Sequence, residues 1–191
     1  MRIEIVDHRA SWAQEFAAVG AALRVALGDR AQAIHHIGST SVAGLAAKDV
    51  IDVQVTVDAL ADDLRPVVEG AGLDLVWLER IVSDHAPPGT VTAAEVTKRI
   101  AAARAPHRRV NLHLRVAGRW NHRYALLCRD FLRADRAAAA AYGEVKRQVA
   151  RHLPDAADAY DDVKDPVVDI LMAGAELWAT ATGWTVPPSD A

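Results

Sequence analysis

His36-Ile37-Gly38-Ser39-Thr40-Ser41-Val42-Ala43-Gly44-Leu45, followed by Lys48 and then Val50-Ile51-Asp52-Val53-Gln54-Val55, decides the reading of this chain. Ala31 to Ile37 reads as a strand that stops at Gly38, and Val50 to Val57 as the next one. Side chains alternate along a strand, so aliphatic Ile51, Val53, Val55 and Val57 face one way, and Asp52, Gln54 and Thr56 the other. Gly38 and Ser39 at a strand end let backbone N–H groups approach a phosphate oxygen without a Cβ in the way. The hydroxyls of Ser39, Thr40 and Ser41 add further donors. A tight turn with a helix cap is the plain structural alternative for a Gly-Ser pair taken alone. Asp52 on the following strand points beyond a turn, because a carboxylate beside such a loop can hold a metal that bridges phosphates.

Outward from this stretch, Ile3-Glu4-Ile5-Val6 reads as a short strand. Trp12, Phe16, Val19, Leu23 and Leu27 recur at helical spacing up to Gly28. Asp58 offers a cap for a helix carrying Leu60, Leu64, Val67 and Val68, which ends near Gly70 to Gly72 before a strand at Leu73 to Trp77. Asp84-His85-Ala86-Pro87-Pro88-Gly89 is the strongest breaker cluster, and Thr92 to Arg104 fits a helix or an ordered loop equally. Val110-Asn111-Leu112-His113-Leu114-Arg115-Val116 alternates strictly and belongs in the same sheet. After Gly118 the pattern is helical, first with Tyr124, Leu127, Cys128 and Phe131 as its stripe, then through Ala137 to His152. Asp165-Pro166 predicts a cap and first-turn proline for a last helix, and in the tail over 183–191 Pro187-Pro188-Ser189 is expected to fray. The reading is one unit of the α/β (α+β) class: an α/β part over 1–118 with a mixed sheet flanked by helices, a helical part over 119–182, and a tail.

The single Cys128 cannot form an internal disulfide, and Met1-Arg2-Ile3-Glu4-Ile5 has no apolar leader, so a cytoplasmic setting is expected. The net charge is −3, without a basic block, which argues against general nucleic-acid binding. The longest stretch free of Asp, Glu, Lys and Arg, Ala31 to Ala47, holds too many polar groups to span a membrane. Neither a G-x-S-x-G elbow nor an acid–base partner at a characteristic spacing suggests a serine mechanism, and Cys128 lies on an apolar stripe.

His36 to Leu45 with Lys48, Ile51 and Asp52 resembles the signature of the GrpB-like family, whose usual form runs close to H-I-G-S-T-S-V-P-G-L-x-x-K-P-x-I-D. The resemblance continues in Asn111-Leu112-His113-Leu114, in Trp120 with Arg123, in Arg129-Asp130-Phe131-Leu132-Arg133, and in Tyr142, Lys146, Tyr160 and Lys164, nearly the whole chain. It implies the nucleotidyltransferase fold, in which a Gly-Ser loop binds triphosphate and strand carboxylates bind two magnesium ions. In some relatives a GrpB-like domain is fused to dephospho-coenzyme A kinase. No G-x-x-x-x-G-K-[ST] loop occurs in this sequence, so no kinase domain is expected in it.

Active members of that superfamily carry two carboxylates one residue apart on the first acidic strand and usually a third on a neighbour. Here the matching positions are Asp52, Gln54 and Asn111 or His113. Two metals about 3.5–4 Å apart need several anionic ligands, and one carboxylate with neutral donors supplies far less. Ala43 and Asp49 stand where the family usually has proline. Asp49 could restore a carboxylate, but parity sets it on the face opposite Asp52 unless a bulge intervenes.

His113 shares the polar side with Asn111 and Arg115, and is read equally as a hydrogen-bonded structural residue and as part of the site. His35 and His36 point to opposite faces, one packed beneath the loop. Lys48, Arg123 and Arg129 match family positions and are candidates to neutralise phosphate charge, against the plainer reading of solvated cations.

Two functions therefore stand. The chain binds a nucleotide or other phosphate-bearing small molecule and transfers a nucleotidyl group with magnesium; or it is a catalytically degenerate module that senses a nucleotide or engages a protein, linked to coenzyme A metabolism. In the first, Asp52 binds metal and acts with Gln54 and His113, while Gly38, Ser39, Thr40, Ser41, Lys48, Arg123 and Arg129 hold the phosphates.

Overall fold

In the computed structural model, residues 2–87 and 89–191 are described, apart from the side chains of Ala157 and Asp158; Met1 and Pro88 of the terminal and breaker readings lie outside them. The elements are α1 (Ser11–Leu27), β1 (Ala33–Ile37), β2 (Ile51–Val57), α2 (Leu64–Glu69), β3 (Val76–Trp77), α3 (Ala93–Val96), β4 (Arg99–Ala103), β5 (Val110–Val116), α4 (Trp120–Ala134), α5 (Arg136–His152) and α6 (Ala157–Thr182). They form the expected α/β architecture. A five-stranded sheet ordered β1-β2-β5-β4-β3 is mixed, with β2 and β5 parallel and every other pair antiparallel.

The two faces of the sheet have different jobs. Ile51, Val53, Val55 and Val57 of β2 join Val110, Leu112 and Leu114 of β5 against Trp12, Phe16, Val19 and Leu23 of α1, all buried. Burying one such aliphatic side chain contributes about 1.5–3 kcal/mol, so this layer carries the fold. The opposite face takes the polar residues, and the parallel register pairs Asp52 with Asn111, Gln54 with His113 and Thr56 with Arg115. Helices α4, α5 and α6 stand over that face, packed through Leu127, Phe131, Met172 and Ala175 and through Val42, Leu45, Leu132 and Tyr142.

Five local expectations are corrected. The segment Ile3–Val6 makes one bridge, Val6 to Ala47, rather than a strand. Helix α2 starts at Leu64 without a side-chain cap. That start puts Pro66 in the first turn, where no amide is needed, whereas a start at 59 would bury it in the interior. The strand at Leu73 to Trp77 shrinks to Val76–Trp77. Thr92 to Arg104 is neither one helix nor a loop, since it contains α3 and then β4, where Ile100, Ala101, Ala102 and Ala103 are all buried. A strand covered on both faces shows no alternation. Helix α6 begins well before Pro166, which lies inside it. The carbonyl that loses its donor belongs to exposed Asp162, where water can take over.

The tail is ordered. Ile34 N–H donates to Ser189 Oγ at 2.8 Å, Asp190 N–H donates to Ile34 O at 2.9 Å, and His36 N–H donates to the Asp190 carboxylate at 2.9 Å. Strand β1 is a sheet edge whose free groups attract an extended segment, and the tail fills that role. Among the described residues, no helix is long and apolar enough to cross a membrane.

Candidate phosphate-binding site

At the end of β1 the chain turns sharply. Gly38 has φ +69°, and a Cβ there would fall 2.5 Å from Asp52 Oδ2, so both its conformation and its space demand glycine. A single 3-10 turn, Ser39–Ser41, follows and is pinned from all sides. Ser41 Oγ donates to Gly38 O at 2.5 Å, Arg133 donates to Ser41 O, Thr40 Oγ1 donates to Val50 O at 3.1 Å, and His36 Nε2 lies 3.0 Å from Thr40 Oγ1. His36 itself stacks on Phe16 with ring centres 4.7 Å apart, beneath the loop. Burial above all lowers its pKa to about 4, so the ring is neutral. Among the described residues, the N–H groups of Ser39 and Thr40 meet no protein acceptor.

This loop forms one end of a cavity of about 750 Å³ between the polar sheet face and helices α4, α5 and α6, well within the usual size of a small-molecule site. Eight basic side chains and four carboxylates line it, so the cavity is positive although the chain is net negative. Lys146 of α5 donates to Ser39 Oγ at 2.7 Å and lies 4.4 Å from the centre of the Tyr142 ring. Lys48 lies 3.6 Å from the centre of the Tyr160 ring. Arg104 donates to Asn111 Oδ1 at 3.0 Å, and Arg109 joins the wall. Among the described residues, none of these four cations is ion-paired with a carboxylate. Burial lowers the pKa of Lys48, and that of Lys146 to about 7. Lys164 is different: burial works against its charge, but Asp161 and Asp165 at 3.4 and 3.3 Å raise its pKa.

Asp52 stands partly exposed at the loop. Burial pushes its pKa up, but His113, Asn111 and Lys164 outweigh it and hold the carboxylate ionised. Asn111 Nδ2 donates to Asp52 Oδ1 at 2.7 Å, and His113 Nε2 lies 3.9 Å from the same oxygen. Burial, reinforced by Arg115 and Lys98, lowers the His113 pKa to about 4. The neutral ring has Nδ1 facing the Lys98 ammonium at 3.4 Å, which sets the proton on Nε2, toward Asp52.

Of the residues expected from sequence, Gly38, Ser39, Thr40, Lys48, Asp52, His113 and Arg129 line the cavity. Gln54 does not: it is fully buried, its Nε2 donating to His122 O at 3.2 Å and its Oε1 accepting from Arg115 at 2.6 Å. Ser41 faces the loop's own backbone. Arg123 lies outside, paired with Glu176 beside Trp184. Arg129 reaches the cavity wall, but its guanidinium is held by Asp130, Asp190 and His36 O. Asp49 binds Arg9, Trp12 Nε1 and Arg108 on the other face of the sheet, as strand parity requires.

Four wall residues had no role from sequence: Lys146, Lys164, Arg104 and Arg109. The two lysines had a readable signal, because Tyr142-x-x-x-Lys146 and Tyr160-x-x-x-Lys164 each put an aromatic ring and an ammonium on one helix face.

The donor set fits a two-metal centre poorly. Asp84 is taken by Lys98, Arg115 and Asn121, and Asp161 and Asp165 by Lys164, which leaves Asp52 as the one carboxylate at the loop. Among the described residues, no group of three or more His, Cys, Asp or Glu side chains could hold a metal ion.

Residues 2–173 match the family model described as GrpB protein. The chain belongs to the GrpB family. A crystal structure of the conserved protein GrpB from Enterococcus faecalis superposes with a TM-score of 0.70 at 25% identity, covering 92% of this chain and 99% of that one. A UPF0157 protein of Pseudomonas aeruginosa is 35% identical over 94% of this chain and 69% of its own length. A dephospho-CoA kinase of Mycolicibacterium paratuberculosis is 37% identical over 95% of this chain. The chain spans only 48% of that kinase, about half the length of the curated kinases it matches.

Proposed function

We propose that this GrpB-family chain binds a nucleotide or a related phosphate-bearing small molecule in the cleft between the sheet and helices α4 to α6. The observation that carries the reading is the set of four cations without carboxylate partners, Lys48, Arg104, Arg109 and Lys146, gathered around a glycine turn with two free N–H groups. Charge-assisted hydrogen bonds of this kind are what a phosphate takes from a protein. In this reading Gly38, Ser39 and Thr40 hold a phosphate, Lys146 and Lys48 flank it, and the Asp52–Asn111–His113 cluster presents a fixed carboxylate beside it. The similarity to dephospho-CoA kinases makes coenzyme A precursors natural candidates alongside nucleotides.

The approach of Gly38 to Asp52 favours a second reading, nucleotidyl transfer with magnesium held at Asp52 and by the ligand's own phosphates. The two separate in a thermal-shift screen of nucleotides and coenzyme A precursors, with and without Mg²⁺, on wild type, Asp52→Ala and Lys146→Met. Simple binding predicts a metal-independent shift that Lys146→Met reduces. Magnesium-dependent transfer predicts a shift that needs metal and is lost in Asp52→Ala. No shift with any compound contradicts both.

A further inference from the structure

The hydrogen bond between Ser39 and Lys146 spans 107 residues and answers a question that spacing along the chain could not. An activated serine needs a base within hydrogen-bond reach, a group that orients the base, and donors for the developing charge. Ser39 opens the turn after Gly38, with its Oγ at the cavity wall. Lys146 Nζ lies 2.7 Å away, buried and without a carboxylate partner. Tyr142, one helical turn before Lys146, sets its ring against the ammonium and its hydroxyl against Ser39. Burial keeps that phenol protonated. The N–H groups of Ser39 and Thr40 remain for an oxyanion.

Resting on the phosphate reading above, we propose that Ser39 is a nucleophile and Lys146 its base, and that the site moves a terminal phosphoryl group onto Ser39 Oγ. The Oγ–phosphorus bond forms as the bond from phosphorus to the leaving oxygen breaks. The Ser39 proton passes to Lys146 Nζ and from there to the leaving oxygen. Phosphoserine persists until water or an acceptor hydroxyl removes the phosphoryl group and returns a proton to Ser39. Charge on the transferred oxygens is met by Lys48, Arg104 and Arg109, which do here the neutralising that metals do at carboxylate-rich sites. This accounts for a phosphate site with several free cations and a single carboxylate.

The base must be neutral to act. Lys146 is faced by Ser39 from the loop, Tyr142 and Arg147 from its own helix, Cys128 from α4, Lys164 from α6 and Asp52 from β2. Burial dominates these and brings its pKa to about 7, so a large share of the amine is unprotonated at neutral pH. Burial likewise raises the Cys128 thiol to about 11, which removes it as a competing nucleophile.

The test incubates the full chain with p-nitrophenyl phosphate and with ATP radiolabelled in its terminal phosphate, while binding of both is followed by thermal shift. Expected are covalent label on Ser39 by peptide mapping, no label in Ser39→Ala, and a labelling rate about 10²–10⁴-fold lower in Lys146→Met. In the wild type the rate should rise between pH 6 and 8. Label on another residue, or a probe that binds without labelling the wild type, overturns the nucleophile while leaving the phosphate site standing. A wild type that binds neither probe overturns both. Ser39→Cys separates chemistry from folding: it must keep the wild-type melting temperature and lose or shift its pH dependence.

Discussion

Two ends of one polar sheet face, separated by a single step along β2, have opposite character. At the Asp84 end, Arg115 and Lys98 both pair with the Asp84 carboxylate at 2.7–2.8 Å, Asn121 adds a third donor, and Gln54 ties Arg115 to the His122 carbonyl. At the Asp52 end, one carboxylate meets the neutral side chains of Asn111 and His113, while Lys48, Arg104, Arg109 and Lys146 line the cavity without a carboxylate partner. The lesson is that Gln54 is not a lost catalytic carboxylate left idle. It joins the sheet to α4, and the buried cluster it belongs to is satisfied on nearly every atom. Satisfied buried networks rigidify, whereas unmatched buried charge raises the energy of the empty protein and is relieved by a ligand.

The largest blow to the paired end is Asp84→Ala, which strands two buried cations. It should cost roughly 3–5 kcal/mol, a fall in Tm on the order of 10 °C for a chain of this size. The Asp84 pKa is depressed because burial is outweighed by Arg115 and Lys98. A depressed carboxylate stabilises above its unfolded pKa, near 4, and that stability drains as pH falls toward the folded value. Acid unfolding of the wild type should therefore steepen below about pH 4, and Asp84→Ala should flatten it.

Gln54→Glu asks whether the missing carboxylate can be restored. The new group loses the donor to His122 O, so a loss of about 1–3 kcal/mol in urea unfolding is expected, with no magnesium-dependent gain in Tm. A metal-dependent gain would mean that the two ends are one site.

The open end should respond in the reverse sense. Lys146→Met removes a buried cation without a carboxylate partner and should raise stability at pH 7 by about 1 kcal/mol while weakening phosphate binding. Because the folded pKa is lowered to about 7, the unfolded chain holds this proton more tightly. Wild-type stability from this group rises with pH between about 7 and its unfolded value near 10.4, and the variant should lack that rise. Least affected is Arg123→Ala, whose exposed pair with Glu176 is worth about 1 kcal/mol or less and lies outside the cavity.

How much of this could be read from sequence depended on the range of the interaction. Strands β2 and β5 and helix α1 were legible because apolar side chains recur along each at the period of the element, and the same parity separated Asp49 from Asp52. Strand β4 escaped because Ile100, Ala101, Ala102 and Ala103 put apolar side chains on both faces and leave no alternation, and the docked tail because its partners, Ile34 and His36, lie some 155 residues away. The glycine turn was legible from its own residues. Arg104 and Arg109 were not, since a cation reveals its role only when folding denies it a carboxylate. Arg123 and Arg129 looked equivalent to them until Glu176 and Asp190 supplied partners.

The central claim is that the Gly38 turn grips phosphate, and hydrogen–deuterium exchange with pyrophosphate as the probe tests it most directly. Saturating pyrophosphate should slow exchange in the peptide covering residues 37–42, with a smaller effect in Lys146→Met, while the peptides around Gln54 and Asp84 stay unchanged. Binding that protects a different segment and leaves 37–42 unaltered would contradict the account.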